Sequence, residues 1–248
     1  MSEITLQPIF DQSDPGIWDD LMRIRIVTVR KKYNTKMSDE TIARAMTAFR
    51  DSWRRLSFNF AFGAYDGDKM IGCIAGDVQR RTGYIRHLYV LPEYQGLHIG
   101  TRLLNAAQTA VAVTANQTDL VALPGAETFY RAHGYKSPYD SNAYIRPVTA
   151  PHCQTVPVFH CAPSIMRACG TMYDDENNML SSAVISAKHM PVFAYYNAES
   201  RITGFGIIDP DGKQRVFSAS RHPADWSRRC ISRALNSYVA NQIMQKTK

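Results

Sequence analysis

Residues 84–113, YIRHLYVLPEYQGLHIGTRLLNAAQTAVAV, constrain the fold more than any other stretch. An apolar run from Tyr84 to Leu91 stops at Pro92, a polar segment containing Gly96 and Gly100 follows, and an amphipathic run opens at Thr101. Strand, glycine-bearing turn and helix, in that order, aim free backbone N–H groups and the positive end of a helix dipole at an anion. Gly96 and Gly100 let the main chain approach a phosphate where a Cβ would intrude, and Gln95 can add a side-chain donor. Two common phosphate loops do not fit. A nucleotide-triphosphate loop needs G-x-x-x-x-G-K-S/T, and the lysine is missing. A dinucleotide fingerprint needs G-x-G-x-x-G directly after the strand, and that spacing is missing too.

The stretch resembles the acyl-CoA loop of the GNAT superfamily of N-acetyltransferases, R/Q-x-x-G-x-G/A after an L-x-V-x-P strand end. Leu88-Tyr89-Val90 and Pro92 match the strand end; Gln95, Gly96 and Gly100 match the loop. His98 departs from it, standing where the family usually has its first signature glycine. Its Cβ either crowds the pyrophosphate or its imidazole donates to it. A second stretch, GAETFYRAHGY at 125–135, is similar to the family's A-x-x-L/F-Y-x-x-x-G-F/Y helix, with Ala126, Phe129, Tyr130, Gly134 and Tyr135 in place. Two matches in the right order are stronger than either alone. The resemblance covers about residues 3–148 and implies an α+β fold, a mixed, mostly antiparallel twisted sheet flanked by helices. Residues 1–148 are then an acyl-CoA-binding catalytic domain, and 149–248 a second, smaller α/β domain.

The resemblance also implies the site. Pantetheine runs along Leu88, Tyr89 and Val90, and the pyrophosphate meets Gln95, Gly96, Leu97, His98, Ile99, Gly100 and Thr101. Acyl transfer from a thioester to an amine requires a neutral amine, a stabilised oxyanion and a proton for the departing thiolate. The backbone N–H of Leu88 or Tyr89 can meet the oxyanion. Tyr130 matches the tyrosine that protonates the CoA sulfur in many members, a sensible task for a phenol of ordinary pKa near 10. Where many members carry a carboxylate base on the central strand, this chain has Tyr84, Arg86 and His87. Strand alternation puts Tyr84 and Arg86 on one face and His87 with Ile85 and Tyr89 on the other. His87 has the intrinsic pKa of a general base; a water relay to a more distant group is an equal alternative. Pro124 replaces the family's asparagine ahead of the tyrosine helix, and no cysteine stretch argues for an acyl-enzyme.

Around this centre the chain reads as strands and helices in alternation. Residues 3–9 form an edge strand, Asp14-Pro15 starts a helix to Lys32, and Ser38 caps a second carrying Ile42, Met46 and Phe49. Trp18 and Trp53 are core residues. Phe58–Tyr65 and Lys69–Val78 form a hairpin about Asp66-Gly67-Asp68, and Asp119–Leu123 a short strand. In the second half, VFAYYNAESRITGFGIID is a hairpin candidate and Trp226–Gln242 a helix. A shift of 131 positions lays Pro92, Arg102, Leu104 and Asn105 on Pro223, Arg233, Leu235 and Asn236, and a one-residue slip lays AYDGDKMIGCIAGD on AYYNAESRITGFGIID. The pattern fits either a degenerate, partial second copy of the unit or a coincidence between amphipathic helices that follow hairpins. In such a copy Trp226, Ser227 and Ile231 replace the loop residues Gln95, Gly96 and Gly100.

Composition narrows the setting. With 45% apolar and 21% charged residues the chain is a globular protein, and no apolar run or secretory pattern points to a membrane. Five cysteines without a C-x-x-C pair favour a reduced, cytoplasmic protein. The series His152-Cys153, His160-Cys161 and Cys169 matches no zinc spacing, so no metal is expected. A net charge of +7 suits an anionic ligand such as CoA, and no Lys/Arg block argues for nucleic acid. The expected activity is transfer of acetyl from acetyl-CoA to a primary amine of a small molecule, peptide N-terminus or lysine, by direct attack in a ternary complex. The alternative is a non-catalytic CoA-binding or scaffold protein. Exposed strand edges are compatible with a homodimer.

Overall fold

The computed structural model describes residues 3–11, 14–33, 38, 40–44, 47, 60–138, 142–149, 154–159, 163–176, 178–181, 190–199, 201–220 and 226–246. Met46, Phe49, Trp53, His152, Cys153, His160, Cys161 and Pro223 lie outside the described residues. The chain divides into two compact units, one of Met1–Val111 with Ala115–Val148, the other chiefly Thr149–Lys248.

The N-terminal unit runs β1 (Ile4–Pro8), α1 (Pro15–Tyr33), β2 (Phe60–Asp66), β3 (Lys69–Gln79), β4 (Thr82–Val90), α2 (Ile99–Ala112), β5 (Gln117–Val121), α3 (Glu127–Ala132) and β6 (Ala143–Pro147). The strands form one sheet in sequence order, antiparallel throughout except for β4 and β5, which are parallel. A parallel pair needs a crossover, and α2 supplies it. β5 begins two residues before the start expected from sequence. The local signals behave as expected: Asp14 Oδ1 accepts the N–H of Gly16 at 2.8 Å, Ser38 Oγ accepts that of Thr41 at 3.3 Å, and Trp18 is buried. α2 lies close on β4 because Gly83 has no side chain; a Cβ there would sit 2.4 Å from Val111. α1 packs against β3 and β4, tied by Arg23 Nη2 to the Met70 carbonyl (2.8 Å) and Thr28 Oγ1 to the Val90 carbonyl (3.3 Å).

One register shift changes the reading of β4. Ala75 pairs with His87 and the next residue, Gly76, with Ile85, so Arg86 is the extra residue of a β-bulge. Simple alternation had placed Arg86 and His87 on opposite faces. The bulge resets the period: Tyr84, Arg86, His87 and Tyr89 share the face of Asp77, Ala75 and Cys73, while Ile85, Leu88 and Val90 take the other.

The C-terminal unit runs β7 (Gln154–Pro157), α4 (Pro163–Cys169), β8 (Val192–Tyr196), β9 (Ile202–Ile208), β10 (Gln214–Ser218) and α5 (Trp226–Lys246). Its four strands are antiparallel in the order β10-β9-β8-β7. α5 packs against β8, β9 and β10, and an apolar cluster that includes Ile165, Leu180 and Phe205 fills its core. The order strand, helix, three antiparallel strands, helix is that of β1 to α2. Both hairpins carry a register shift at the same place, Ala64/Tyr65 in one and Tyr195/Tyr196 in the other, skipping Ile71 and Thr203. The helix offset differs from the 131 positions expected. Gly72 faces Leu103, its counterpart Gly204 faces Ile231, and those partners are 128 positions apart. Three residues are nearly one helical turn, so a stripe slipped by that much still superimposes apolar on apolar. Among the described residues no helix is long and apolar enough to cross a membrane.

Candidate functional site

β4 and β5 pair only from Thr82–Gln117 to Ile85–Leu120, and beyond that point no strand among the described residues pairs with the outer edge of β4. A cleft of about 720 Å³ opens there. It is lined by Ile85 to Val90 of β4, by Gln95, Gly96 and His98 to Thr101 at the start of α2, by Thr28 and Lys31 of α1, and by Phe129 and Tyr130 of α3. Of the loop residues expected from sequence, Leu97 alone is absent from the lining and points its side chain to solvent.

The edge of β4 presents main-chain groups in a fixed order. Leu91 N–H bonds the Ile71 carbonyl at 2.9 Å, so alternation spends Tyr89 and His87 on β3 and turns Leu88 and Val90 toward the cleft. Of the two expected oxyanion donors, Leu88 therefore faces the cleft and Tyr89 is committed to the sheet. The Val90 carbonyl is taken by Thr28 Oγ1 and by Gln95 Nε2 at 3.1 Å, so the Gln95 side chain braces the strand end.

The turn into α2 leaves its backbone donors open. A single 3-10 turn at Pro92–Tyr94 reverses the chain, with Tyr94 Oη donating to Asp66 at 2.9 Å. From Gly96 to Thr101 six consecutive backbone N–H groups have no hydrogen-bond partner among the described residues; the first intrahelical bond is Arg102 N–H to the His98 carbonyl at 3.0 Å. His98 adopts φ +57°, in the left-handed region that glycine enters most readily. A Cβ on Gly100 would meet the Phe129 ring at 3.5 Å, an ordinary contact, so packing alone does not demand glycine there. His133 locks α3 to this turn, Nδ1 on the Phe129 carbonyl (2.7 Å) and Nε2 on Thr101 Oγ1 (3.0 Å).

Tyr130 and His87 flank the cleft with opposite characters. Tyr130 is buried among Phe129, Tyr135 and Tyr144, and burial together with neighbouring phenols pushes its pKa well above the usual value. It is a donor at every physiological pH. Its hydroxyl makes no hydrogen bond among the described residues. Burial, with Arg25 and Arg86 beside it, pushes the His87 imidazole down to about 3, so it is neutral near pH 7. Arg86 is gripped by Asp77, a residue sequence reasoning passed over. Nε and Nη2 both reach Asp77 Oδ2 at 2.9 Å, and the guanidinium lies 5.1 Å from the Tyr84 ring centroid. The available signal was a lone acid in the apolar run of β3. No cluster of three or more metal-ligating side chains occurs among the described residues; Cys169 is buried, its thiol donating to the Ile165 carbonyl.

Residues 58–137 match the family model described as acetyltransferase (GNAT) domain. This part of the chain is a GNAT acetyltransferase domain. Among solved structures, the chain is similar to PH1933 from Pyrococcus horikoshii OT3, at 19% identity over 60% of this chain and 99% of that one, with a TM-score of 0.47. It is also similar to the PaiA N-acetyltransferase of Thermoplasma acidophilum in complex with coenzyme A, at 18% identity over 59% and 99%, TM-score 0.45. A third is an aminoglycoside 6'-N-acetyltransferase complexed with coenzyme A, at 16% identity over 59% and 98%, TM-score 0.43. No curated protein matches the chain.

Proposed function

We propose that the protein transfers the acetyl group of acetyl-CoA to a primary amine, with the N-terminal unit as its single catalytic unit. The observation that carries this is the run of six unbonded N–H groups from Gly96 to Thr101, set beside the unpaired edge of β4. Such a cradle fits a pyrophosphate, and the outward Leu88 main-chain groups and Val90 N–H fit a pantetheine amide chain as an added strand would.

In this reading Leu88 N–H polarises the thioester carbonyl. The amine nitrogen attacks that carbon, the new C–N bond forms, and the C–S bond breaks as the oxyanion collapses. Tyr130 donates its proton to the departing sulfur and recovers one from solvent. His87 accepts the amine's proton only in passing, since an imidazole held near 3 cannot keep it, and water carries it onward. The C-terminal unit is a truncated copy of β1 to α2, an idea supported by the shared element order and shared hairpin shift.

Calorimetric titration with acetyl-CoA tests the first step, and amine-dependent release of free thiol the second. Binding near micromolar with amine-dependent release supports the enzyme. Binding without release from any amine favours the second reading, a CoA-binding protein without turnover, to which the absence of a carboxylate among the described cleft-lining residues lends weight.

A further inference from the structure

We propose that the acceptor amine carries an anionic group, typically a carboxylate a few bonds from the nitrogen, and that Arg86 seats it. The proposal rests on the acetyl-transfer reading of the same cleft and names its substrate class.

The bulge at Arg86 turns two consecutive side chains, Arg86 and His87, to the α1 face of β4. CoA would take the Gly96–Thr101 cradle and the Leu88–Val90 edge, leaving the Ile85–His87 end of the cleft for the acceptor. Arg86 stands two residues from Leu88, roughly 7 Å along a strand, which is the reach of a carboxylate from an amine poised at the thioester. Its guanidinium is already oriented. Asp77, 8% exposed, holds Nε and Nη2 through one oxygen, and the Tyr84 ring supports the plane. Nη1 has no partner among the described residues, and Arg86 lines the cleft. A guanidinium fixed on one edge with donors unspent on another is suited to a planar anion.

The fixed charge around it has one sign. Lys31 and Arg86 line the cleft, and no Asp or Glu does among the described residues. A polyamine would find nothing there to balance its charge. Asp77 does not line the cleft and acts as a positioning residue for Arg86.

The experiment measures thiol release from acetyl-CoA with matched amines: glycine, glycinamide and methylamine; L-phenylalanine, its amide and phenethylamine; L-glutamate; and spermidine. The acid-bearing member of at least one set should exceed its amide in kcat/KM by roughly 10- to 100-fold, the range of a charge-assisted contact. Arg86→Gln should erase that preference through KM, and Arg86→Lys should restore part of it. Equal or better use of amides, simple amines or spermidine overturns the proposal. So does silence from every acid-bearing amine, or a preference that survives in Arg86→Gln. Failure of the enzyme reading is told apart by a separate acetyl-CoA titration of each protein and by the full amine set: it shows as absent CoA binding, or as binding with no release from any amine, whereas the proposal fails when other amines react and the acid-bearing ones do not.

Discussion

The edges of β4 and β10 are built alike and end differently. Leu91 N–H bonds the Ile71 carbonyl at 2.9 Å, and Ala219 N–H bonds the Thr203 carbonyl at 3.1 Å. The residue before each, Val90 and Ser218, therefore turns its main-chain groups outward. In the N-terminal unit that edge faces the cleft. In the C-terminal unit Ser218 N–H and C=O both bond Tyr173, at 2.9 and 3.1 Å, and the turn from Tyr173 to Met179 covers the strand. With α2 and α5 aligned through Leu103 and Ile231, Arg228 falls where Gly100 stands. Arg228 is buried, and its guanidinium fastens that turn through Asp175 and the Tyr173 carbonyl. The same succession of strand and helix thus leaves an open edge only where the chain does not spend its own main-chain groups. Where an arginine and a turn use them internally, the edge becomes structure.

The sharpest way to break this comparison is Gly100→Asp. A carboxylate at the open amides of α2 should repel the pyrophosphate and weaken acetyl-CoA binding by roughly 100-fold or more. The wild type should titrate with one CoA per chain, and the variant with that one site weakened, because among the described residues the C-terminal unit offers no second open edge. Two sites in the wild type would end the contrast between the edges. Gly100→Ala is the companion: its methyl meets Phe129 at ordinary distance, so the melting temperature should hold while CoA affinity falls.

Tyr130→Phe tests whether the open unit is catalytic. Loss of the proton donor should lower kcat by about 100-fold, within the range of general acid catalysis, with acetyl-CoA affinity little changed. Full turnover in the variant means that Tyr130 is not the acid.

Arg228→Ala acts on the closed unit alone. It strips the turn of its clasp and leaves Asp175 and the Tyr173 carbonyl without that donor, which should cost about 2–3 kcal/mol in urea unfolding. Acetyl-CoA affinity should stay at the wild-type value. A fall in affinity matching the loss of stability would show that the two edges are not independent.

Much of this contrast was legible beforehand, and the missing parts have physical causes. The strand end at Leu88–Pro92, the glycine turn and Tyr130 declare themselves because a turn needing left-handed residues and a periodic helix are local properties. The bulge at Arg86 is not local. It is a register relation between Ala75, Gly76 and β4, and without it alternation sends His87 to the wrong face. The grip of Asp77 on Arg86 and the closure of β10 by Tyr173 are likewise contacts between segments far apart in sequence. The helix register of the second unit was misread for a different reason, since amphipathic helices slipped by about one turn look the same to a hydropathy pattern.

Acid separates the two edges by their smallest difference. The C-terminal counterpart of His87 is Arg215, as Ala75 pairs with His87 where Ile207 pairs with Arg215. His87 is held near 3, against an ordinary value of 6.5. Between those values the unfolded chain takes up a proton that the folded one refuses. Stability is therefore unaffected above pH 6.5 and falls as pH drops toward 3, by on the order of 1–2 kcal/mol between pH 7 and 5. Arg215 instead pairs with Asp174 at 2.6 Å. Burial pushes that carboxyl up, but the Arg215 guanidinium and the Asn178 amides more than reverse it and hold it at about 2. The stability this pair contributes is complete above the unfolded value of 3.8 and is lost only as pH falls from there toward 2. Urea unfolding at pH 7, 6 and 5 should show a slope that His87→Gln flattens and that Asp174→Asn leaves in place. A slope unchanged in His87→Gln would mean that the imidazole beside Arg86 titrates normally and is not held neutral by its burial against Arg25 and Arg86.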